Sequence, residues 1–241
     1  MRIIKLNATE STNRFMRNLS LESSVQDFTT VVTSTQSKGR GQMGSAWQSE
    51  SFKNLTFSVY KGFKQFEFED QFKISMAVSL AIIKALETLQ IPKLSIKWPN
   101  DILSANKKIC GILIENVIKQ SHIVSSIVGV GLNVNQLKFK DLPQAGSLKL
   151  ITGLNYDLDE ILHLILKHLE IQLKLLENDT SALKNNYESY LFRKEKPSTF
   201  KSDEGLFSGI IKGVSNEGLL KVMIEDQELK TFDLKTIKLL Y

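Results

Sequence analysis

The segment FKISMAVSLAIIKALETL, residues 72–89, places the strongest constraint on the fold. It is long enough for a substantial helix, and only Lys73, Lys84 and Glu87 in it carry charge. A helix that is apolar on nearly every side must be covered by other layers of the same chain. The residues after it supply strands. Residues 94–98 and 101–104, a turn at Ala105-Asn106-Lys107 and residues 109–117 read as a β-meander, and residues 123–134 as a long apolar strand interrupted by Gly129 and Gly131. Upstream, residues 2–6, 28–34 and 54–60 are strand-like in β-branched content or alternation. Between the first two, Glu10-Ser11-Thr12-Asn13 offers hydroxyl and amide N-caps to a short helix through Phe15, Met16 and Leu19.

Further along, Asp157 with Glu160 makes a capping-box-like start to a helix predicted to reach about Glu177. Its Leu158, Ile161, Leu162, Ile165 and Leu169 recur at helical spacing. A short helix over residues 182–191 precedes Pro197. The character then changes. Residues 200–241 hold short strand-like runs at 207–211, 219–224 and 229–234, with Asn216-Glu217-Gly218 as a turn. A β module of about 45 residues is too small to be comfortably stable alone, so it is expected to dock on the first domain. The boundary falls near residues 193–197.

Composition narrows the class. In 241 residues the 42% hydrophobic and 24% charged fractions are those of an ordinary globular protein. Apolar runs such as residues 161–166, broken by His163, fall far short of the roughly 20 residues a membrane span needs, so no membrane association is expected. The first residues lack an apolar export signal, and the single Cys110 excludes an internal disulfide framework. Together these predict a cytoplasmic protein. The net charge of +5 comes from lysines interleaved with Glu and Asp, the pattern of a solvated surface rather than of a DNA footprint. His122, His163 and His168 have no metal-ligand spacing with Cys110, so no protein metal cage is expected.

Four segments carry candidate chemistry. In Gln36-Ser-Lys-Gly39-Arg40-Gly41-Gln42-Met43-Gly44-Ser-Ala-Trp47, three glycines let backbone N–H groups approach an anion, and Arg40 adds a fixed cationic fork. The spacing is not that of a Walker A loop, and by itself the segment serves equally as a mobile surface loop. In Lys97-Trp98-Pro99-Asn100-Asp101, at a strand end, Lys97 is placed to neutralise charge developing between a carboxylate and a phosphate, or is simply solvated beside a buried tryptophan. Lys108 stands at the mouth of an apolar strand in which Gly111 leaves room for a ligand, although a lysine after a hairpin turn is usually just solvated. Gly129-Val-Gly131-Leu-Asn133 puts glycines in an apolar strand, the mark of a bulge or a close ligand approach, with Asn133 able to bond a base or ribose edge.

In this order and spacing the segments resemble the biotin–protein ligase family across nearly the whole chain. Ser11-Thr12-Asn13 resembles its biotin-contacting triplet. Gln36 with Gly39-Arg40-Gly41, Gly44 and Trp47 resembles its biotinyl-adenylate loop, GRGxxGxxW. Residues 97–101 match its KWPND motif, Lys108 with Gly111 its KxxG, and Gly129, Gly131 and Asn133 its GxGxN. The resemblance implies a mixed-sheet α/β (α+β) catalytic domain at residues 1–195 and an SH3-like β-barrel at residues 196–241. It implies that Ser11, Thr12, Asn13, Gln36, Gly39, Arg40, Lys97 and Gly111 contact biotin, with Ser11, Thr12 and Gln36 on the ureido group. ATP and the adenylate fall to Arg40, Gly41, Gln42, Trp47, Asn100, Lys108 and Asn133, with Trp47 covering the adenine. Lys97 and Arg40 are the implied catalytic residues.

The implied chemistry is formation of biotinyl-5′-AMP from biotin and ATP, with Mg²⁺ held mainly by the ATP phosphates, and transfer of biotin to a lysine of a biotin carboxyl carrier protein. A lipoate or octanoate ligase or transferase of the same fold is the alternative. A monomer or weak homodimer is expected. Some family members carry extra arginines in the glycine loop, where this sequence has Gln42, Met43 and Ser45. Others carry a helix-turn-helix domain for which the position of Ser11 leaves no room, so neither DNA binding nor repressor activity is expected.

Overall fold

A computed structural model of the chain describes residues 2–176 and 180–241. In chain order its elements are β1 (Ile3–Thr9), α1 (Thr12–Glu22), β2 (Thr30–Gln36), β3 (Leu55–Gly62), α2 (Gln71–Thr88), β4 (Leu94–Lys97), β5 (Asp101–Ser104), β6 (Lys107–Lys119), β7 (His122–Leu132), α3 (Leu148–Thr152), α4 (Leu158–Leu175), α5 (Leu183–Ser189), β8 (Pro197–Ser202), β9 (Gly205–Val214), β10 (Leu220–Met223), β11 (Leu229–Phe232) and β12 (Lys238–Leu240). The first seven strands form one sheet in the order β1-β2-β3-β7-β6-β5-β4. Only β1 and β2 run parallel, joined through α1, and the rest of the sheet is antiparallel. The sheet is therefore mixed, as the sequence implied.

Helix α2 is sandwiched as its composition requires. Within it only Lys84, Glu87 and Thr88 are exposed, and it lies between the β4–β6 side of the sheet and the helices α4 and α5. The partner α4 starts where Asp157 Oδ1 accepts from the backbone N–H groups of Asp159 (2.8 Å) and Glu160 (3.0 Å). It turns Ile161, Leu162, Ile165, Leu166, Leu169 and Leu173 inward. Its predicted end at Glu177 lies outside the described residues. The β5–β6 turn is a two-residue hairpin with Ala105 (φ 46°) and Asn106 (φ 66°) both left-handed, the geometry that matches strand twist.

Three expectations are corrected. Strand β2 begins at Thr30 rather than residue 28, because Phe28 is left-handed (φ 58°) and turns the chain into the strand. Gly129 and Gly131 do not interrupt β7, whose pairing with β3 and β6 runs in register through both. The third concerns the C-terminal module, where β8 and β12 join the strand-like runs that the sequence displayed. The module is a five-stranded antiparallel sheet, β11-β10-β9-β8-β12, not a closed barrel. Strand β12 spans three residues and pairs only with β8, while β11 turns mostly exposed side chains outward, so no ladder joins the two edges among the described residues. The module is docked. Phe200, Ile211, Val214, Leu220, Val222 and Ile237 belong to the same continuous core as α2 and α4. No helix among the described residues is long and apolar enough to cross a membrane.

Candidate active site

A cavity of about 890 Å³ opens between the seven-stranded sheet and the C-terminal module. At one end lie the uncharged polar residues Ser11, Thr12, Asn13 and Gln36. Ser11 caps α1, and both the N–H and the hydroxyl of Thr12 point at Gln36 Oε1 (2.9 and 3.4 Å). The buried Ser58 on β3, absent from any sequence motif, lies 2.7 Å from Thr12 Oγ1 and donates to Asn13 Oδ1 at 2.6 Å. Asn13 in turn donates to Glu115 Oε2 (2.8 Å) and to the Leu113 carbonyl (3.2 Å). Buried polar groups this well partnered are fixed in direction.

The glycine-rich loop folds over this end as a narrow turn. Trp47 N donates to Gly39 O (3.0 Å) and Gly41 N to Ser45 O (2.7 Å), with Met43 and Gly44 left-handed at the tip. The loop ends in a tight fit. Gly111 and Gly131 are paired across β6 and β7, and the Trp47 indole occupies the slot they leave. A Cβ on Gly131 would sit 2.3 Å from Trp47 Cε2, and one on Gly111 3.0 Å from Cζ3. Gly129 makes the corresponding room for Asn13, whose Oδ1 a Cβ would meet at 2.2 Å. The strand glycines thus receive side chains. Trp47 Nε1 and Gln42 Oε1 are buried here with no hydrogen-bond partner among the described residues.

The other end is cationic. Six lysine and arginine side chains line the cavity against two carboxylates, Asp101 and Asp203. Arg40 stands between the two ends, braced at 3.2 Å by Glu115 Oε2, the oxygen that also accepts from Asn13, and Glu115 also holds Arg17 at 3.3 Å. Lys108 is paired with Asp101 at 2.7 Å and lies 5.7 Å from the Trp47 ring centre. The ammonium group of Lys97, at the end of β4, has no ion pair or hydrogen bond among the described residues. Burial holds its ammonium below the usual lysine range, Asp101 opposes the shift, and Lys108 and Lys238 add to it. Lys201, Lys235 and Lys238 of the C-terminal module complete the wall. No sequence motif marked them, because single lysines in short strands and turns carry no pattern of their own.

Two residues of the motifs have structural duties. Asn100 lines the cavity, but its Nδ2 donates to the Ile112 carbonyl and locks the 97–101 turn onto β6. Asn133 is buried outside the lining, donating to Gly146 O (3.0 Å) and leaving its Oδ1 without a partner among the described residues. Gly39 also lies outside the lining, where a Cβ would strike Trp47 O at 2.3 Å. Cys110 is wholly buried and burial pushes its thiol well above the usual range, which suits a packing residue rather than a nucleophile.

Such a cleft, neutral and polar at one end and lined by cations at the other under a glycine-rich loop, gives an α/β protein a pocket chemically suited to an anion. The chain belongs to the biotin/lipoate A/B protein ligase family, whose model matches residues 6–133. It is 29% identical over 206 residues to the bifunctional ligase/repressor BirA of Bacillus spizizenii, covering 83% of this chain and 62% of that protein. It is 28% identical to the biotin–[acetyl-CoA-carboxylase] ligase of Mycobacterium tuberculosis, over 74% of this chain and 66% of that one. The chain thus spans about two thirds of the length of these curated relatives. The biotin protein ligase of Aquifex aeolicus, solved in complex with biotin and ATP, superposes with a TM-score of 0.83 at 28% identity, over 99% of this chain and 98% of that one.

Proposed function

We propose that this chain is a biotin–protein ligase that activates biotin with ATP and transfers it to a lysine of a biotin carboxyl carrier protein. The observation that carries the reading is the polarity of the cavity. Fixed neutral hydrogen-bonding groups at residues 11–13 and Gln36 suit a ureido ring, and Arg40, Lys97 and Lys108 of the same cavity offer the charge that a carboxylate and a phosphate call for. In the first step a biotin carboxylate oxygen bonds to the α-phosphorus of ATP, the bond to the β-phosphate oxygen breaks, and pyrophosphate leaves. Negative charge builds at that junction, and Lys97, whose ammonium carries no ion pair among the described residues, is a cation able to meet it. In the second step the neutral amine of the acceptor lysine attacks the acyl carbon, the bond to the phosphate oxygen breaks, AMP leaves and the nitrogen loses a proton. Positioning and electrostatics suffice for both steps.

Among the described residues no cluster of His, Cys, Asp or Glu is arranged to hold a metal. Mg²⁺ fits here as a passenger on the ATP phosphates, where it would offset charge as pyrophosphate departs. In this reading residues 1–195 are the catalytic domain, residues 196–241 an appended module and Trp47 the cover of the adenine, whereas Asn133, buried outside the cavity and bonded to Gly146 O, supports the site rather than reading the base. A cytoplasmic monomer or weak homodimer completes it. The test is to incubate the purified protein with ATP, Mg²⁺ and either biotin or lipoate, scoring pyrophosphate release and the mass of an acceptor domain. Biotin-dependent release with a biotinyl mass shift supports the reading, and a lipoyl shift alone replaces it with lipoate ligation.

A further inference from the structure

We propose that Tyr241 is a positioning residue that holds the Lys97 ammonium group toward the carboxylate–phosphate junction; the proposal rests on the ligase reading above. Among the described residues, no other side chain braces the Lys97 ammonium. The carboxylate facing it, Asp101 on β5, is committed to Lys108 at 2.7 Å. Lys108 from β6 and Lys238 from β12 face it with the same sign of charge. A flexible lysine so placed would swing toward water unless something held it, since a half-buried cation without a partner is unfavourable.

The Tyr241 ring supplies the hold. Its centre lies 5.3 Å from Lys97 Nζ, within the range of a cation–π contact. The ring is itself fixed, packed edge-on against Phe192 at 5.0 Å and 67°. Its backbone oxygen accepts from Gln144 Nε2 at 2.5 Å, and the Gln144 carbonyl accepts from Lys108 N at 2.7 Å. One loop residue therefore ties Tyr241 to the strand that carries the second lysine. Burial raises the Tyr241 phenol to about 12, so the ring stays neutral near pH 7. Neutrality matters to the role. A carboxylate in contact would cancel the field that Lys97 must present to a phosphate, whereas a π face orients the cation and leaves its charge available.

The test compares Tyr241→Leu, which keeps an apolar bulk without a π face, and Tyr241→Phe, which keeps the face without the hydroxyl. Biotinyl-5′-AMP formation is followed in single turnover across pH, with the KM for biotin and the melting temperature of each variant. Tyr241→Leu is expected to lower kcat about tenfold, with KM for biotin changed by less than about twofold. Its alkaline limb should move to lower pH, because Lys97 then loses a group that favours the charged form. Tyr241→Phe should restore both. If Tyr241→Leu unfolds, Phe192→Leu removes the buttress of the ring instead and is expected to give a smaller fall in kcat with the same sign of limb shift. Wild-type kcat in Tyr241→Leu, loss in Tyr241→Phe equal to that in Tyr241→Leu, or a change in KM alone overturns the proposal. A wild-type protein that makes no adenylate overturns the ligase reading and the proposal with it, so the wild-type arm separates the two failures.

Discussion

Lys97 sits in a conflict that gives it a measurable signature. Burial and two neighbouring lysines disfavour its charged form, whereas the proposed adenylation step calls for that charge. The sign follows. With the pKa lowered, the proton is lost at a lower pH than from an exposed lysine, so activity should fall on the alkaline side before the usual lysine range is reached. A pH profile of pyrophosphate release that stays flat through that range would remove Lys97 from the step. Replacing it, as Lys97→Met, should cost on the order of 3 kcal/mol in the transition state while the fold persists, read from single-turnover rates and circular dichroism. The glycine slot yields a second prediction. Gly131→Ala would force the indole of Trp47 out of contact, so tryptophan emission should shift to the red and quencher access should rise. Unchanged emission would mean that the slot is not occupied in solution. At this scale the sequence was readable where chemistry is local: residues 11–13, Gln36, Arg40, Lys97 and Lys108 all reach the cavity. It was silent on Ser58 and Glu115, because their role depends on which strands pair and in what register. The same register explains the strand glycines, whose space is filled by Asn13 and Trp47.

Between elements, the site depends on how the 97–101 turn is clamped. Trp98 Nε1 donates to Gly218 O at 2.8 Å, and the Tyr187 hydroxyl donates to Pro99 O at 3.0 Å. The β9–β10 turn of the C-terminal module therefore reaches into the 97–101 turn. Gly218 is left-handed (φ 90°), and a Cβ there would lie 2.3 Å from Phe72 Cγ at the start of α2. Gly218→Val combines a disfavoured backbone with a collision in the core and should destabilise by about 2 kcal/mol or more, measured by urea denaturation. A loss below about 0.5 kcal/mol, the usual range for an uninvolved surface position, would show that the turn is loosely seated. Helix α2 and the meander were legible because long apolar periodicity and a two-residue turn are local signals. Strand β8, PSTFKS, was not, since it opens on proline and buries only Ser198 and Phe200. Strand β12 was too short to announce itself.

Across the whole molecule, the change of character near Pro197 describes the sequence better than it describes the packing. The C-terminal sheet is open at both edges and small, and what it lacks in closure it gains from the first domain. Ile211 pairs with the linker, as Glu195 N donates to its carbonyl at 3.0 Å, and Glu188 Oε1 accepts from Val214 N at 3.0 Å. Phe200, Ile211 and Val222 continue the core of Tyr187 and Leu191. A module that shares its core with a neighbour cannot unfold without exposing the neighbour's apolar surface, so the two should lose structure together. Calorimetry of the full chain is expected to show one transition, with a van't Hoff to calorimetric enthalpy ratio of about 1. The cavity lies across the same seam, walled by Lys97 and Lys108 on one side and by Lys201, Lys235 and Lys238 on the other. Ligands that bind there should raise the single transition as a whole, in proportion to the logarithm of their concentration over Kd. Two resolved transitions, with ATP and biotin raising only the upper one, would instead mean that the module folds by itself and that its lysines are not part of the site.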